Sequence, residues 1–332
     1  MNLKDKKISI DYWVSEIQKN NKAVLARAIT LIESTNANDA VMSAELLKKC
    51  LEIKPNPTIR IGITGVPGVG KSTFINAFAS LLSQQGNKVA ILSIDPSSQT
   101  SKGSILGDKT RMTDLIKDSN VYIRPSPSGT ALGGISSYTS DAICLLETAG
   151  YQYIIVETVG VGQSETAVHE ITDFFLLLML PGSGDELQGI KRGIMELADL
   201  VFINKADGDN LLKAKIAKAD FSLALHLFPP MTSGWLPQVI MGSSIDRKGI
   251  KETIQIIESY ILKTKSNGYF EKNRIQQKLN IFRQQIKKIW FEQFIGNEKI
   301  KAKIQEVELS IENGIIQPQN AVLEILDFQK NI

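Results

Sequence analysis

The segment Gly-Val-Pro-Gly-Val-Gly-Lys-Ser-Thr, residues 65–73, has the residue types and spacing of a phosphate-binding loop. It follows the apolar segment Arg-Ile-Gly-Ile-Thr and precedes a helical pattern, so the motif GxxxxGK[ST] stands in its required strand-turn-helix context. There the glycines let backbone N–H groups approach phosphates, the lysine reaches the β- and γ-phosphates, and the serine can hold Mg²⁺. A ligand-free tight turn is the weaker alternative. The predicted phosphate site comprises Gly65, Val66, Pro67, Gly68, Val69, Gly70, Lys71, Ser72 and Thr73.

A second segment, Leu-Val-Phe-Ile-Asn-Lys-Ala-Asp, indicates which base is bound. It ends a predicted strand with the pattern NKxD, formed by Asn204, Lys205 and Asp207. A carboxylate at Asp207 can accept hydrogen bonds from N1–H and from the exocyclic amine of guanine, and adenine lacks this pair of donors. The same residues also suit a helix cap, but their position after a phosphate loop favours guanine. The predicted ligands are therefore GTP and GDP.

A serine-containing turn follows the next predicted strand, Pro-Gln-Val-Ile-Met. Ser243, Ser244 and Ile245 are predicted to present backbone N–H groups to the guanine oxygen. Serines also stabilise turns by local hydrogen bonds, which is an equally good explanation of this turn.

Carboxylates stand at the ends of two further predicted strands. Asp95 closes Ala-Ile-Leu-Ser-Ile-Asp, and Glu157, followed by Gly160, closes Ile-Ile-Val-Glu-Thr-Val-Gly. Ligands of parallel α/β sheets bind at this carboxyl edge, so both residues are candidates for the Mg²⁺ and γ-phosphate region. Asp108 lies in a glycine-flanked loop that is able to close over the site. As alternatives, these acids are helix caps or solvated loop charges.

Composition bounds the class of protein. The 332 residues carry a net charge of +3 without long runs of one sign, so neither a nucleic-acid nor a membrane surface is indicated. Cys50, Cys144, His169 and His226 are scattered, which argues against a Cys/His metal cluster and against a disulfide framework. The first residues lack the apolar segment of a signal peptide. These observations predict a cytoplasmic protein.

The apolar pattern divides the chain into three parts. Residues 1–55 have helical spacing, and residues 264–332 are again helical, with an apolar step of three and four residues that suits a helix pair or a dimer interface. Between them, residues 56–263 alternate seven short strand patterns with helical patterns. This alternation predicts an α/β domain with a mainly parallel, doubly covered sheet. The C-terminal apolar series is Ile275, Leu279, Phe282, Ile286 and Ile289.

Several long motifs resemble one known family. They are DPSS at 95–98, GSILGDKTRM at 103–112, IRPSPSGTALGG at 123–134, ETVGVGQSE at 157–165, the segment from 178 to 200 and NKADGD at 204–209. Together they look like the ArgK/MeaB P-loop GTPases, the family of the methylmalonic aciduria type A protein. The resemblance extends from the helical segment at residues 25–34 to at least Ile250, and the C-terminal helices match only in character.

The resemblance implies a GTPase chaperone of an adenosylcobalamin-dependent acyl-CoA mutase, most often methylmalonyl-CoA mutase. Such a protein gates cofactor delivery and protects or reactivates the mutase, and its C-terminal arm forms a homodimer. By the same resemblance, the catalytic set is Lys71, Asp95, Asp108 and Glu157, and Ser72 joins the three acids at Mg²⁺. Residues 182–192 correspond to a third switch. The predicted switch and coupling residues are Gly160, Gln163, Asp185, Glu186, Gln188, Lys191 and Arg192.

Some positions depart from the family pattern. Lys102 and Gly103 stand where two glycines are usual, and the guanine turn reads Met-Gly-Ser-Ser-Ile. Val161 occupies the place of the water-orienting glutamine of small GTPases, so hydrolysis is expected to be slow without a partner. Two other functions stay open at this point: a metallochaperone GTPase, which requires a Cys/His site, and a kinase of a periplasmic binding protein, which requires ATP.

Overall fold

A seven-stranded sheet forms the centre of the fold in the computed structural model, which describes residues 9–34, 36–54, 56–94, 113–125, 132–158, 164–182 and 192–331. All paired strands are parallel, in the order β3-β2-β4-β1-β5-β6-β7. The predicted parallel sheet is confirmed, and each of the seven strand patterns became a strand. The strands are β1 (Ile59–Gly65), β2 (Val89–Ile94), β3 (Val121–Pro125), β4 (Tyr153–Thr158), β5 (Phe174–Met179), β6 (Leu200–Ile203) and β7 (Gln238–Met241).

Helices cover both faces of this sheet, as the nearly continuous apolar strands require. Phe74 and Phe78 of α4 and Ile257 of α10 pack on one face, and Phe221 of α9 packs on the other. In the first 277 residues, the helices are α1 (Ile10–Gln18), α2 (Lys22–Ile32), α3 (Ala37–Leu51), α4 (Lys71–Gln84), α5 (Thr113–Ile116), α6 (Leu132–Thr148), α7 (Ser164–His169), α8 (Arg192–Glu196), α9 (Leu211–His226), α10 (Ile250–Ser266) and the first part of α11 (Tyr269–Gly296).

The N-terminal helices are tied to the sheet by an arginine in β3. The guanidinium of Arg124 donates to the carboxylate of Glu33 at the end of α2 and to the carbonyl oxygen of Ala26, at 3.2 Å. Leu25 and Ile29, four residues apart on one face of α2, are fully buried. The N-terminal helices therefore pack as part of the sheet-containing unit.

The beginning of α11 is held by an arginine that is mostly buried. Arg274 donates to both carboxylate oxygens of Asp173, at 2.7 and 2.6 Å, and to the carbonyl oxygen of Thr58 at 2.8 Å. Its guanidinium also stacks on Phe270, 4.5 Å from the ring centroid. Bidentate arginine–carboxylate pairs are among the stronger polar contacts. They fix this end of α11 beside the amino ends of β1 and β5.

The chain divides into two compact units, residues 1–277 and 278–332. This boundary lies inside α11, whereas the sequence prediction began the C-terminal arm at residue 264 and separated residues 1–55. In the second unit, α12 (Glu298–Glu312) packs against α13 (Pro318–Lys330), and Lys303 of α12 forms an ion pair with Glu324 at 2.7 Å. Pro318 is the first residue of α13, as expected for proline.

An apolar series on α11 is exposed in the single chain. Leu279, Phe282, Ile286 and Ile289, which recur every three or four residues, are 42–57% exposed. Scattered exposed apolar residues are ordinary, but a continuous series on one helix face marks an interaction surface. Over the described ranges, no helix is both long enough and apolar enough to cross a membrane.

Candidate functional site

The phosphate loop lies at the carboxyl end of β1 and begins against β5. A Cβ atom on Gly65 would lie 2.5 Å from the carbonyl oxygen of Leu178, so only glycine fits there. Gly70, with φ of 90°, is the N-cap of α4 and adopts the left-handed conformation that favours glycine. The loop therefore turns directly from a central strand into a helix amino end, which favours an anionic ligand.

The lysine of the motif closes this loop. The ammonium group of Lys71 donates to the carbonyl oxygen of Gly65 at 2.7 Å, across the width of the turn. Ser72 is partly exposed and Thr73 is exposed, both in the first turn of α4. Pro67 and Gly68 are exposed at the tip, whereas Val69 is buried and anchors the loop in the core. Lys71 thus spans the turn, and Val69 is the apolar side chain of the motif that is buried in the core.

Asn204 connects three of the predicted motifs. Its side-chain amide, in a residue that is only 2% exposed, donates to the carbonyl oxygen of Val69 in the phosphate loop at 2.8 Å. Its amide oxygen accepts hydrogen bonds from the backbone N–H of Ser244 at 3.0 Å and from the Ser244 hydroxyl at 2.7 Å. One side chain therefore holds the phosphate loop and the serine turn at a fixed separation.

Asp207 is the residue of the NKxD pattern that is predicted to bind the guanine base. It precedes a short 3₁₀ helix (Gly208–Asn210), but its side chain makes no capping hydrogen bond, and no ion pair or hydrogen bond joins its carboxylate to another residue that the structure describes. Lys205 has a left-handed φ of 57°, and Ala206 N–H donates to Gly242 at 2.9 Å. The helix-capping alternative for Asp207 is therefore unsupported, and its partly buried carboxylate is available for a base.

The serine turn is bound within the chain at two of its three positions. Ser243 N–H donates to the carbonyl oxygen of Lys248 at 3.1 Å, and Ser244 N–H donates to Asn204. Ile245, which is 79% exposed, is the remaining position of the three and its N–H has no acceptor among the described residues. Bonds within the chain thus account for the N–H groups of Ser243 and Ser244. The predicted contact with the guanine oxygen then depends on the backbone N–H of Ile245.

Glu157 lies inside the sheet rather than in a solvated loop. It is 3% exposed in β4, beside Ser93 of β2 and Ile63 of β1 in the strand register. The hydroxyl of Ser93 donates to its carboxylate. Next along β4, the hydroxyls of Thr158 and Thr64 share a hydrogen bond of 2.9 Å. The interpretation of Glu157 as a solvated loop charge is therefore wrong, and its assignment to the metal region stays a prediction.

Most of the remaining predicted residues lie outside the described part of the chain. Arg192 begins α8, and its side chain is not described. Within the described ranges, no group of three His, Cys, Asp or Glu side chains is placed to hold a metal ion. Of the four predicted Mg²⁺ ligands, Ser72 and Glu157 lie in the described part of the chain. The residues outside it are Asp95, Asp108, Gly160, Gln163, Asp185, Glu186, Gln188 and Lys191.

Sequence reasoning missed two contributors to the site. Ser93, which bonds Glu157, stands two residues before Asp95 in an otherwise apolar strand pattern, and this polar interruption was a usable signal. The hydroxyl pair of Thr64 and Thr158 had no such signal, because threonine is common in strands and the pair depends on which strands are neighbours.

Comparisons with known proteins agree with this geometry. The sequence model of the family described as "Methylmalonyl Co-A mutase-associated GTPase MeaB" matches residues 25–299. The chain is 39% identical to GTPase ArgK of Escherichia coli K12 over 315 residues, covering 95% of each chain. It is 40% identical over 325 residues to the mitochondrial methylmalonic aciduria type A homolog of Mus musculus, covering 94% of this chain and 77% of that protein.

Among solved structures, the chain is similar to one described as a LAO/AO transport system kinase, with a TM-score of 0.79 and 33% identity, covering 98% of this chain and 99% of the other. The chain belongs to the MeaB family of P-loop GTPases and is a GTP hydrolase.

Proposed function

We propose that this GTPase acts as a chaperone of an adenosylcobalamin-dependent acyl-CoA mutase, with methylmalonyl-CoA mutase as the client. It gates delivery of adenosylcobalamin to the mutase and protects or reactivates the enzyme. Support comes from the description of the matched family, which names a mutase-associated GTPase, and from the name of the mouse relative. The observation that carries the nucleotide part is the bridge from Asn204 to Val69 and Ser244.

The residues of the site fit GTP and Mg²⁺. Left-handed glycines, the helix amino end and the ammonium of Lys71 suit a triphosphate, and the carboxylate of Asp207 suits the two donors of guanine. Bound Mg²⁺ supplies positive charge for the β- and γ-phosphate oxygens, and Ser72 would hold it. Glu157, with Asp95 and Asp108, is proposed to orient the metal and the attacking water.

Two features of the proposed switch are taken from the sequence. Val161, and not a glutamine, follows Gly160 in the segment that begins at Glu157. Because small GTPases use a glutamine at that position to orient the attacking water, we propose that hydrolysis is slow without a partner. The charged residues Asp185, Glu186, Lys191 and Arg192, with Gln188, Gly160 and Gln163, are proposed to couple nucleotide state to the partner. This coupling would make the protein a nucleotide-dependent switch.

The exposed series on α11 supports a homodimer. Its repeat of three and four residues is the repeat of a helix pair, and burying such residues against a second copy would be favourable at about 25 cal/mol per Å² of apolar surface. A symmetric pairing of the same face on two copies satisfies this requirement. We propose that residues 279–289 form that interface.

The kinase function is the main rival, because the related solved structure is described as a transport system kinase. A phosphoryl donor of that reaction would be ATP, whose adenine lacks the donor pair that Asp207 accepts. The metallochaperone alternative lacks support in the described ranges, where no cluster of candidate metal ligands occurs. Guanine selectivity therefore separates the proposed function from the kinase.

Replacing Asp207 with asparagine tests that selectivity. The variant is expected to bind GTP about 2–4 kcal/mol more weakly, because hydrogen bonds to a charged group are lost, and to prefer xanthosine triphosphate. Asp209→Asn, an exposed neighbour in the 3₁₀ helix, is the matched control and should bind GTP normally. Calorimetric titration measures both. Wild-type GTP affinity in the Asp207 variant would contradict the assignment.

Adding methylmalonyl-CoA mutase tests the client. The rate of GTP hydrolysis by the wild-type chain should rise by at least about ten-fold, because partner proteins stimulate GTPases whose own active sites are incomplete. Lys71→Ala should abolish turnover, whereas Lys191→Ala and Asp185→Ala should bind GTP normally and lose the stimulation. The assay measures the GTP turnover rate of each variant with and without the mutase, and a separate titration measures its GTP affinity. A wild-type rate that the mutase leaves unchanged would refute this client.

Charged substitutions on α11 test the dimer. Phe282→Asp together with Ile286→Asp should convert a dimer into a monomer, because a charge would be buried in an apolar interface. Ile315→Asp, at an exposed apolar residue between α12 and α13, is the control and should stay dimeric. Light scattering gives the masses. A monomeric wild-type protein would rule the interface out, and GTP affinity should be equal in all three proteins.

A further inference from the structure

A cavity of about 310 Å³ lies at the amino ends of β5 and β6. Because the strands are parallel and the phosphate loop follows the carboxyl end of β1, the cavity is at the opposite edge of the sheet from the nucleotide site. Its lining comes from the first residues of β5, the end of α8, the loop at 228–233, and helices α10 and α11. The volume falls at the lower end of the range for small-molecule sites.

The charged side chains of the described lining are all acids. They are Asp173, Glu196 and Asp199, and the described lining contains neither lysine nor arginine. Asp173 is neutralised by Arg274, which approaches it from outside the cavity lining. Burial lowers the pKa of His169, so this histidine is neutral at pH 7 and adds no positive charge. An ionised Asp199 would therefore have no basic side chain beside it in the described lining, and a cationic ligand would supply the missing positive charge.

Asp199 is a buried acid whose carboxylate has one hydrogen-bond partner among the described residues. It is 4% exposed, and one carboxylate oxygen accepts the N–H of Phe175 at 2.8 Å. No donor among the described residues reaches its other oxygen. An asparagine would accept the Phe175 hydrogen bond equally well, so anchoring β5 does not require a charge. Burial disfavours the ionised form of this acid unless a cation accompanies it.

Aromatic rings and further polar groups complete the lining. Phe174 and Tyr260 meet edge to face with centroids 5.0 Å apart, and Tyr269 lines the same cavity. Ring faces attract organic cations and also cover alkyl chains. The hydroxyl of Tyr260 and the side-chain amide of Asn273 make no hydrogen bond within the described part of the chain. Donors and acceptors are therefore available beside the acid.

We propose that this cavity binds a small organic cation, specifically a primary alkylammonium group. Asp199 is its anionic partner, and the rings of Tyr260 and Tyr269 lie beside its alkyl chain. The inference is independent of the proposed client and of GTP, since none of these residues belongs to the nucleotide site.

Binding should release a proton near neutral pH. Burial raises the pKa of Asp199 to about 8, so the carboxyl is mostly protonated at pH 7, and an ammonium ion would favour its ionised form. The other titratable groups facing it are Glu196, His169, the Asp173–Arg274 pair, Tyr260 and Tyr269; burial raises the pKa of both tyrosines, which stay neutral. Affinity should therefore rise about ten-fold from pH 7 to pH 9.

Calorimetric titration of the full chain with butylammonium chloride tests the proposal, and sodium butyrate serves as the anion of matching size. We expect one saturable site with a Kd of about 1 mM or below, no binding of butyrate, and release of about one proton at pH 7, seen as different heats in phosphate and Tris buffers. Asp199→Asn should weaken binding at least about ten-fold. Asp220→Asn, an exposed acid on α9, is the matched control and should bind normally.

Three results would overturn the proposal: no saturation by butylammonium up to about 10 mM, equal binding of butyrate, or unchanged affinity in Asp199→Asn. If Asp199→Asn does not fold, Asn273→Trp takes its place, because this partly exposed residue of α11 lines the cavity and a large ring there would fill it. Butylammonium binding that survives Asn273→Trp would equally refute the site.

Discussion

The side chain of Asn204 sets the geometry on which the nucleotide site depends. Its amide group bonds the phosphate loop at Val69, and its oxygen accepts two hydrogen bonds from Ser244. All of these groups are buried, so the loss of either side would leave a polar group without a partner, at a cost of about 1–3 kcal/mol. The phosphate loop and the serine turn that is proposed to meet the base are therefore held in position by one side chain.

The parallel sheet makes this bridge possible. β1, β5 and β6 are neighbours, so the loop after β1 and the segment after β6 leave the same edge of the sheet, with Gly65 pressed against Leu178 between them. β4 lies on the other side of β1 and brings Glu157 to that edge. At the opposite edge, the amino ends of β5 and β6 enclose the cavity beside Asp199. The strand order therefore determines where the phosphate loop, the segment after β6, Glu157 and the cavity beside Asp199 lie.

Much of the fold and part of the site could be predicted from the sequence. The seven strands were recognisable because parallel strands buried on both faces are apolar throughout, and Lys71, Asn204 and Asp207 stand in motifs whose spacing reflects a backbone requirement. The role of Ser244 and the pairing of Ser93 with Glu157 were not predictable, since both depend on contacts between segments distant in sequence. The division of α11 at residue 277 depends likewise on tertiary contacts, among them the pair of Arg274 with Asp173.

The affinity of Asn204→Ala for inorganic tripolyphosphate tests the bridging role of Asn204 most directly, because this ligand has phosphates but no base. If Asn204 positions the phosphate loop through Val69, the variant should bind tripolyphosphate with Mg²⁺ at least about ten-fold more weakly than the wild-type chain. Asp207→Asn should bind it with wild-type affinity, since the proposed partner of that side chain is the base, which tripolyphosphate lacks. Weakened GTP binding with unchanged tripolyphosphate affinity in Asn204→Ala would contradict the bridge.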